Sequence, residues 1–356
     1  MGVIYRNLIR PFLFRLDPED AHERGIASLQ LLGGLSPVCR VLEHFNLRPT
    51  NTQPVELFGL KFPNCVGLAA GMDKDGRCWQ AAAALGFGHV EVGTVTGQKQ
   101  PGNDRPRVFR YPKEEALINR MGFNNEGAEA MAARLKKALR GHQRPIPLGI
   151  NLGKSKIVPI EKASEDYLFS FNQLAPYADY VTINISSPNT PNLRQLQNKE
   201  HLPELLRVLN DANHGRARKL GVRPIPLLLK IAPDISFAEI DRLLGTCLEF
   251  GISGIIATNT TISRPGMLAI DLHETGGLSG RPLHHRSVEM VHYIARATGG
   301  NFPIIGCGGI MDGVDAGRMM DAGASLVQLY TGFIYGGPFF AKEVAHALSA
   351  HHSKVM

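Results

Sequence analysis

A chain of 356 residues with 44% hydrophobic and 20% charged side chains can bury a large core, which argues against disorder. Its net charge of +7 favours anionic partners (a phosphate, a carboxylate, nucleic acid or an acidic membrane surface) without choosing among them. Five cysteines, Cys39, Cys65, Cys78, Cys247 and Cys307, stand far apart with no C-x-x-C, and 13 histidines show no ligand spacing, so reduced cytoplasmic thiols and no metal site are expected.

Met1 to Leu16 carries Arg6, Arg10 and Arg15 and no acid, among Val3, Ile4, Tyr5, Leu8, Ile9, Phe12, Leu13 and Phe14. The arginines break the apolar run too often for a signal peptide, and it is too short to span a bilayer. Helical spacing of Leu8, Phe12 and Arg15 to Leu16 predicts a cationic amphipathic segment at lipid headgroups. Asp17-Pro18-Glu19-Asp20 supplies a cap, a first-turn proline and acids facing the dipole of a second helix, Ala21 to Leu32, ending at Gly33-Gly34. These two helices are expected either to form a hairpin at the entrance for a lipid-like molecule or merely to pack on the main domain. The expected division is an extension over residues 1–50 and a catalytic domain over 51–356.

From Val55 on, short apolar runs alternate with helical stretches. The predicted strands are Cys65 to Ala70, His89 to Thr94, Pro147 to Leu152, Tyr180 to Ile185, Pro226 to Ile231, Gly254 to Asn259, Pro303 to Cys307 and Leu326 to Tyr330. Eight strands alternating with helices predict an α/β fold, a closed (β/α)8 TIM barrel. An open doubly wound sheet is the competitor, but no G-x-G-x-x-G follows a first strand.

Barrels build their sites from the C-terminal ends of the strands. Here those ends read Ala70-Gly71-Met72-Asp73-Lys74, Thr94, Asn151, Asn184 with Ser187, Lys230, Thr258-Asn259-Thr260, Gly306 to Gly309 and Tyr330-Thr331-Gly332. Converging polar groups cost desolvation unless a ligand satisfies them, so a polar ligand is implied. Gly306-Cys307-Gly308-Gly309 followed by Tyr330-Thr331-Gly332 fits a phosphate cradle, the alternative being a plain pair of turns. Lys230, at the end of the apolar LLLKIAP, needs a partner that the electron-rich edge of a flavin would supply. In YVTINISSPNTPNL, Asn184, Ser187 and Asn189 lie within one strand end and one turn, close enough to grip one small molecule; alone, SSPN is also an ordinary turn.

The ordered set GLAAGMDKDG, EVGTVT, NRMGFNN, INLGK, NISSPNT, LKIAPD, ATNTT, GGLSGRPL, GCGGI and LVQLYTGFIYGGP, from Gly67 to Pro338, resembles the family 2, quinone-dependent dihydroorotate dehydrogenases. The resemblance extends to DPEDAH in the extension and implies oxidation of dihydroorotate to orotate in pyrimidine synthesis. It implies one FMN per chain, held by Ala70, Gly71, Met72, Asp73, Lys74, Thr94, Asn151, Asn184, Lys230 and Thr258, with its phosphate on Gly280, Gly309, Tyr330 and Thr331. Substrate would be gripped by Lys74, Asn119, Arg120, Met121, Gly122, Phe123, Asn184, Asn189, Asn259 and Thr260. Ser187 would take the C5 proton while the C6 hydride passes to the flavin, and residues Asn189 to His201 would form a lid. Where the other family has cysteine at the base position this chain has serine. The extension would then be the tunnel for ubiquinone or menaquinone, on a monomer bound peripherally to the cytoplasmic face of the inner membrane.

Two rivals stay open. A flavin barrel acting on RNA, such as a dihydrouridine synthase, would suit the positive charge, but no cysteine lies near Ser187 and little chain follows Pro338 for an RNA-binding domain, so no nucleic-acid partner is expected. A membrane-surface binding protein without chemistry would need a damaged site, and the row of polar strand ends is intact.

Overall fold

The computed structural model describes residues 2–47, 54–140, 144–190, 193–197, 201–267 and 273–355. The strands there are, in chain order, β1 (Val55–Leu57), β2 (Leu60–Phe62), β3 (Val66–Leu68), β4 (His89–Val95), β5 (Val108–Tyr111), β6 (Ala116–Asn119), β7 (Leu148–Leu152), β8 (Tyr180–Asn184), β9 (Leu227–Ile231), β10 (Gly254–Ala257), β11 (Gly277–Gly280), β12 (Ile304–Cys307) and β13 (Leu326–Leu329). Eight of them close into a barrel in the order β10-β12-β13-β3-β4-β7-β8-β9, every pairing parallel. These are the eight predicted runs, seven of them trimmed by a residue or two at their ends and β4 extended by one. Each barrel strand is buried along its whole length because helices cover the outside and side chains fill the inside.

Inside the barrel, Phe62, Tyr180, Leu228, Ile256, Ile305 and Leu326 form an apolar cluster that rises to Ala69 and Cys307 near the mouth. Large rings fit there because glycines face them: a Cβ on Gly67 would lie 2.0 Å from the His89 ring, and one on Gly149 2.1 Å from the Tyr180 ring. Phe62 is fully buried and meets the His89 ring edge-on at 5.4 Å. It comes from the β1–β2 hairpin, whose Phe58 and Gly59 have φ of 58° and 73°, the turn geometry that matches strand twist. Burial pushes the His89 imidazole down to about 3, which keeps it neutral.

A second sheet escaped the sequence reading. β5, β6 and β11 pair antiparallel, with Gly277 opposite Asn119 and Gly280 opposite Ala116. Its strands are short, β5 is half-exposed throughout, and β6 and β11 are distant in sequence, so no local alternation announces them. This sheet brings Asn119 and Gly280 to the barrel mouth.

The extension begins as a helix over residues 2–13 and turns at Asp17 into the helix Pro18–Gly34. The predicted cap is present: the Asp17 carboxylate accepts from Glu19 N (2.9 Å) and Asp20 N (3.2 Å). A further helix, Ser36–Asn46, follows at a bend of 98°. Among the described residues no single helix is long and apolar enough to cross a membrane. The expected boundary at residue 50 falls in 48–53, outside the described residues.

The first arginines face the protein rather than outward. Arg6 pairs with Glu343 at 2.6 Å and Arg10 donates to the Tyr335 carbonyl at 3.1 Å, leaving Val3, Ile4, Leu8 and Phe12 exposed. Arg110 donates to the carbonyls of Leu13 and Leu16 and lies over the Phe14 ring. The strongest tie is buried: Arg107 clasps Glu19 through Nη2 (2.6 Å) and Nε (3.0 Å), with Arg105 adding a contact at 3.0 Å. Burial alone would raise the Glu19 pKa, but the arginine hydrogen bonds and charges outweigh it and hold the carboxyl below its usual 4.5.

Breaking this pair leaves buried Glu19 only the exposed Arg105 as a partner, so Arg107→Ala should cost up to about 3–5 kcal/mol in thermal or denaturant unfolding at neutral pH. Because Glu19 has a depressed pKa, its contribution is present above pH 4.5 and lost as the pH falls through the folded value. The gap between wild type and Glu19→Gln should therefore close in acid. A gap that persists there would assign it to packing instead.

Candidate active site

Over the C-terminal mouth of the barrel the strand ends enclose a cleft of about 1010 Å³, counted out to its open side, enough for a cofactor and a small substrate together. The parallel register sets it up: Asn184 of β8 lies opposite Lys230 of β9, and Asn151 of β7 lies beside Thr182 of β8 and Gly93 of β4. Inward-facing positions at one height thus become one polar wall.

That wall is held by a buried network. Thr94 Oγ1 donates to Asn151 Oδ1 (2.6 Å), and Asn184 Nδ2 donates to both Thr94 Oγ1 (3.0 Å) and Asn151 Oδ1 (3.1 Å). Asn184 Oδ1 accepts from Ser186 Oγ (2.8 Å), whose oxygen accepts from Asn259 Nδ2 at 2.9 Å. Asn259 Oδ1 in turn accepts from Thr260 N at 2.7 Å. Ser187 is 5% exposed, and its Oγ accepts from the Asn189 N–H at 3.2 Å. Asn189 Nδ2 reaches the Asn119 carbonyl at 3.0 Å, tying the serine loop to β6. Amides locked by such bonds keep their remaining donors and acceptors aimed into the cleft.

Two ammonium groups line the same cleft, Lys74 and Lys230, and among the described residues neither makes a hydrogen bond or ion pair. Lys230 is 5% exposed. Burial lowers the Lys74 pKa, and the carboxylates of Asp75, Glu19 and Glu23 only partly restore it. Cations so placed call for an anionic ligand.

At the far end, Gly280, Gly308, Gly309 and Gly332 line the cleft beside the helix Thr331–Gly336, whose first turn has no side-chain cap. Free N–H groups at a helix start fit a phosphate. Gly309 has φ of 69°, and its Cβ would fall 2.5 Å from the His284 backbone, so close packing against the start of the helix His284–Ala297 excludes a side chain before any ligand does. Thr331 Oγ1 donates to Ser279 Oγ at 2.9 Å, joining this end to β11.

Of the predicted site residues, Ala70, Gly71, Lys74, Thr94, Asn119, Met121, Gly122, Phe123, Asn184, Ser187, Asn189, Lys230, Thr258, Asn259, Thr260, Gly280, Gly309, Tyr330 and Thr331 all line this cleft. Four do not. Arg120 pairs with Glu274 at 2.6 Å and covers the Phe109 ring, pointing away from the mouth. The Asp73 carboxylate accepts from Arg77 N and Cys78 N, both at 2.7 Å, and so shapes the loop that carries Lys74. Met72 lines a different space, described below, and Asn151 is fully buried beneath Thr94 and Asn184. Sequence reasoning missed Ser279, Leu283 and Gln328, which also line the cleft. Gln328 sits at the third position of an apolar strand, a signal of the same kind as Lys230. In the expected lid, residues 191–192 and 198–200 lie outside the described residues; Leu193 and Leu196 are buried, and Arg194 pairs with Asp234 at 2.9 Å.

A second, mostly apolar space of about 1500 Å³ runs between the extension and the barrel, lined by Ile9, Leu13, Phe14, Ile26, Leu29 and Met72 with His22 and Arg110. Asn119, Met121 and Tyr330 belong to both its wall and that of the cleft. Burial, aided by the charges of Lys74 and Arg77, pushes His22 down to about 3, so it is neutral at physiological pH. Burial also raises the Tyr330 phenol to about 12.

Residues 53–351 match the Dihydroorotate dehydrogenase family. The chain belongs to that family. It is 52% identical to a dihydroorotate dehydrogenase (quinone) of Chloroflexus aurantiacus over 99% of this chain and 98% of the relative. With the Methylococcus capsulatus dihydroorotate dehydrogenase (quinone) it shares 48% over 98% and 100%. Solved structures of Eimeria tenella DHODH, one in complex with ferulenol and one ligand-free, superpose with TM-scores of 0.85 and 0.84. They are 37% and 38% identical to it, covering 95% of this chain and 92% and 96% of theirs.

If Lys74 is an uncompensated cation, Lys74→Met should raise the thermal midpoint of the ligand-free dehydrogenase. Its depressed pKa also means that the unfolded chain binds the extra proton, so the penalty fades as the pH rises to lysine's ordinary 10.5. The advantage of the variant should shrink over that alkaline range. A variant less stable than wild type at pH 7 would show that the ammonium is already compensated.

Proposed function

We propose that this cleft oxidises dihydroorotate to orotate on a bound FMN and that a quinone in the apolar groove takes the electrons, as a step of pyrimidine biosynthesis. One observation carries the reading: a polar cleft holding two unpaired lysines shares Asn119, Met121 and Tyr330 with an apolar groove opening toward the extension. Membership in the family and the quinone-dependent names of its relatives support both halves of the reaction.

When bound, the flavin supplies the hydride acceptor. Ala70, Gly71, Thr94, Asn184, Lys230 and Thr258 would hold its ring and ribityl chain, with Asn151 anchoring Thr94 and Asn184 from below. Gly280, Gly309, Tyr330 and Thr331 would receive its phosphate. Lys74, a point charge backed by the amides of Asn119, Asn189 and Asn259 and by Thr260, suits the carboxylate and ring carbonyls of the substrate, while the Met121 to Phe123 segment closes over it. Ser187 takes the C5 proton. A serine is a weak base in water, so its own hydroxyl proton must leave to a relay as the C5 proton arrives; the Asn189 N–H on its oxygen favours the alkoxide against the cost of burial.

The exposed Val3, Ile4, Leu8 and Phe12, continued by Leu31, Val38, Val41 and Phe45 on the next two helices, give the extension an outer apolar face. That face supports peripheral attachment to the cytoplasmic side of the inner membrane, from which ubiquinone or menaquinone enters the groove.

The half-reactions separate these assignments. Ser187→Ala should stay yellow but lose about a hundredfold or more in the rate of flavin reduction by dihydroorotate, measured anaerobically by stopped flow. Deleting residues 1–34 should leave that rate within a few-fold while suppressing reoxidation by a long-chain quinone. Unchanged reduction in the first, or equal losses in both half-reactions in the second, would overturn the corresponding assignment.

A further inference from the structure

Glu91 is the carboxylate at the centre of the barrel, 0% exposed on β4. Both of its oxygens accept hydrogen bonds: Oε1 from Asn151 Nδ2 at 2.8 Å, Oε2 from Thr182 Oγ1 at 3.0 Å and Gln328 Nε2 at 3.1 Å. A group surrounded by donors is suited to the ionised, acceptor-only form. Asn151 has both its amide atoms fixed by this arrangement, since its oxygen receives Thr94 and Asn184 from the cleft wall. The orientation of that wall is therefore decided one layer down.

Thr182, which donates to this carboxylate, stands two residues before Asn184, the strand partner of Lys230, so Glu91 lies one layer below that lysine. Cys307 lies within electrostatic reach of both: burial raises its thiol pKa, the charge of Lys230 lowers it and that of Glu91 raises it. The Tyr180 phenol below, raised by burial and then by the charge on Glu91, stays protonated. A carboxylate taken wholly out of water is costly, and for mere packing an apolar residue of like volume would serve as well.

We propose that Glu91 is a positioning residue of the dehydrogenase, fixing the Asn151 amide and placing a negative charge under Lys230 that sets the reduction potential of the bound flavin. The inference rests on the FMN reading above. Negative charge near the ring opposes reduction to an anionic form, so Glu91 holds the potential low enough for electrons to leave again to the groove.

The test compares flavin midpoint potentials of the holoenzyme by anaerobic dye equilibration. Glu91→Gln keeps volume and an oxygen for Asn151, while Gln328, whose Oε1 has no partner, can turn to accept from the new amide. Removing only the charge should favour reduction by at least tenfold in the two-electron equilibrium, a rise of about 30 mV or more. The exchange Glu91→Gln with Gln328→Glu returns a carboxylate to the same hydrogen bond and should bring the potential nearer to wild type than to the single variant. A yellow Glu91→Gln shifted by less than tenfold overturns the proposal, as does an exchanged pair that stays with the single variant. If the single variant does not fold, the exchanged pair decides alone, supporting the proposal within tenfold of wild type and overturning it beyond. A wild-type protein that binds no FMN would instead sink the underlying reading.

Discussion

Positive charge without a partner is the constraint on which this molecule turns. Lys74 and Lys230 stand in the wall of one cleft, and among the described residues neither has a hydrogen-bonded anion. A folded protein keeps such a cost where a ligand repays it, and an anionic substrate together with a cofactor carrying phosphate and an electron-accepting ring is a matched pair for two lysines. The rest of the site follows. Amides around the cleft are fixed by one another and by a buried carboxylate, so little reorganisation is left for the moment of reaction.

On the proposed function, chemistry and electron exit occupy separate compartments. The cleft is lined by polar strand ends; the groove is mostly apolar and bounded by the extension. They meet at Asn119, Met121 and Tyr330, and Asn119 is delivered by a strand of the small sheet over the mouth. The same region fastens the extension: Arg107 joins Glu19 to the barrel and donates to the carbonyl of Asn103, whose amide reaches Asn189 O at 3.4 Å in the serine loop. The two compartments thus share scaffolding as well as a wall.

The barrel was legible because its strands are buried on both faces, so Leu228 and Ile255 fall in unbroken apolar runs whose polar ends stand out. The same logic exposed Lys230 and Asn184. Elements that depend on distant pairing left no such trace: β5 and β11 are short and carry arginine or glycine, and the helix Ser36–Asn46 hides behind a preceding Gly-Gly. Arg6 and Arg10 read as headgroup ligands until their partners, Glu343 and the Tyr335 carbonyl, came from the far end of the chain. Glu91 was invisible for a different reason. An acid in a strand reads as an ordinary polar position, and only the closed barrel reveals that it faces Asn151, Thr182 and Gln328 rather than solvent.

The most direct test of a flavin cleft coupled to a quinone groove is an anaerobic titration of the purified protein, followed at the flavin absorption band. Dihydroorotate should bleach it, and among quinone, fumarate and NAD added separately only quinone should restore the colour. A colourless protein that cannot be reconstituted with FMN, or colour restored by fumarate or NAD but not by quinone, would contradict the account.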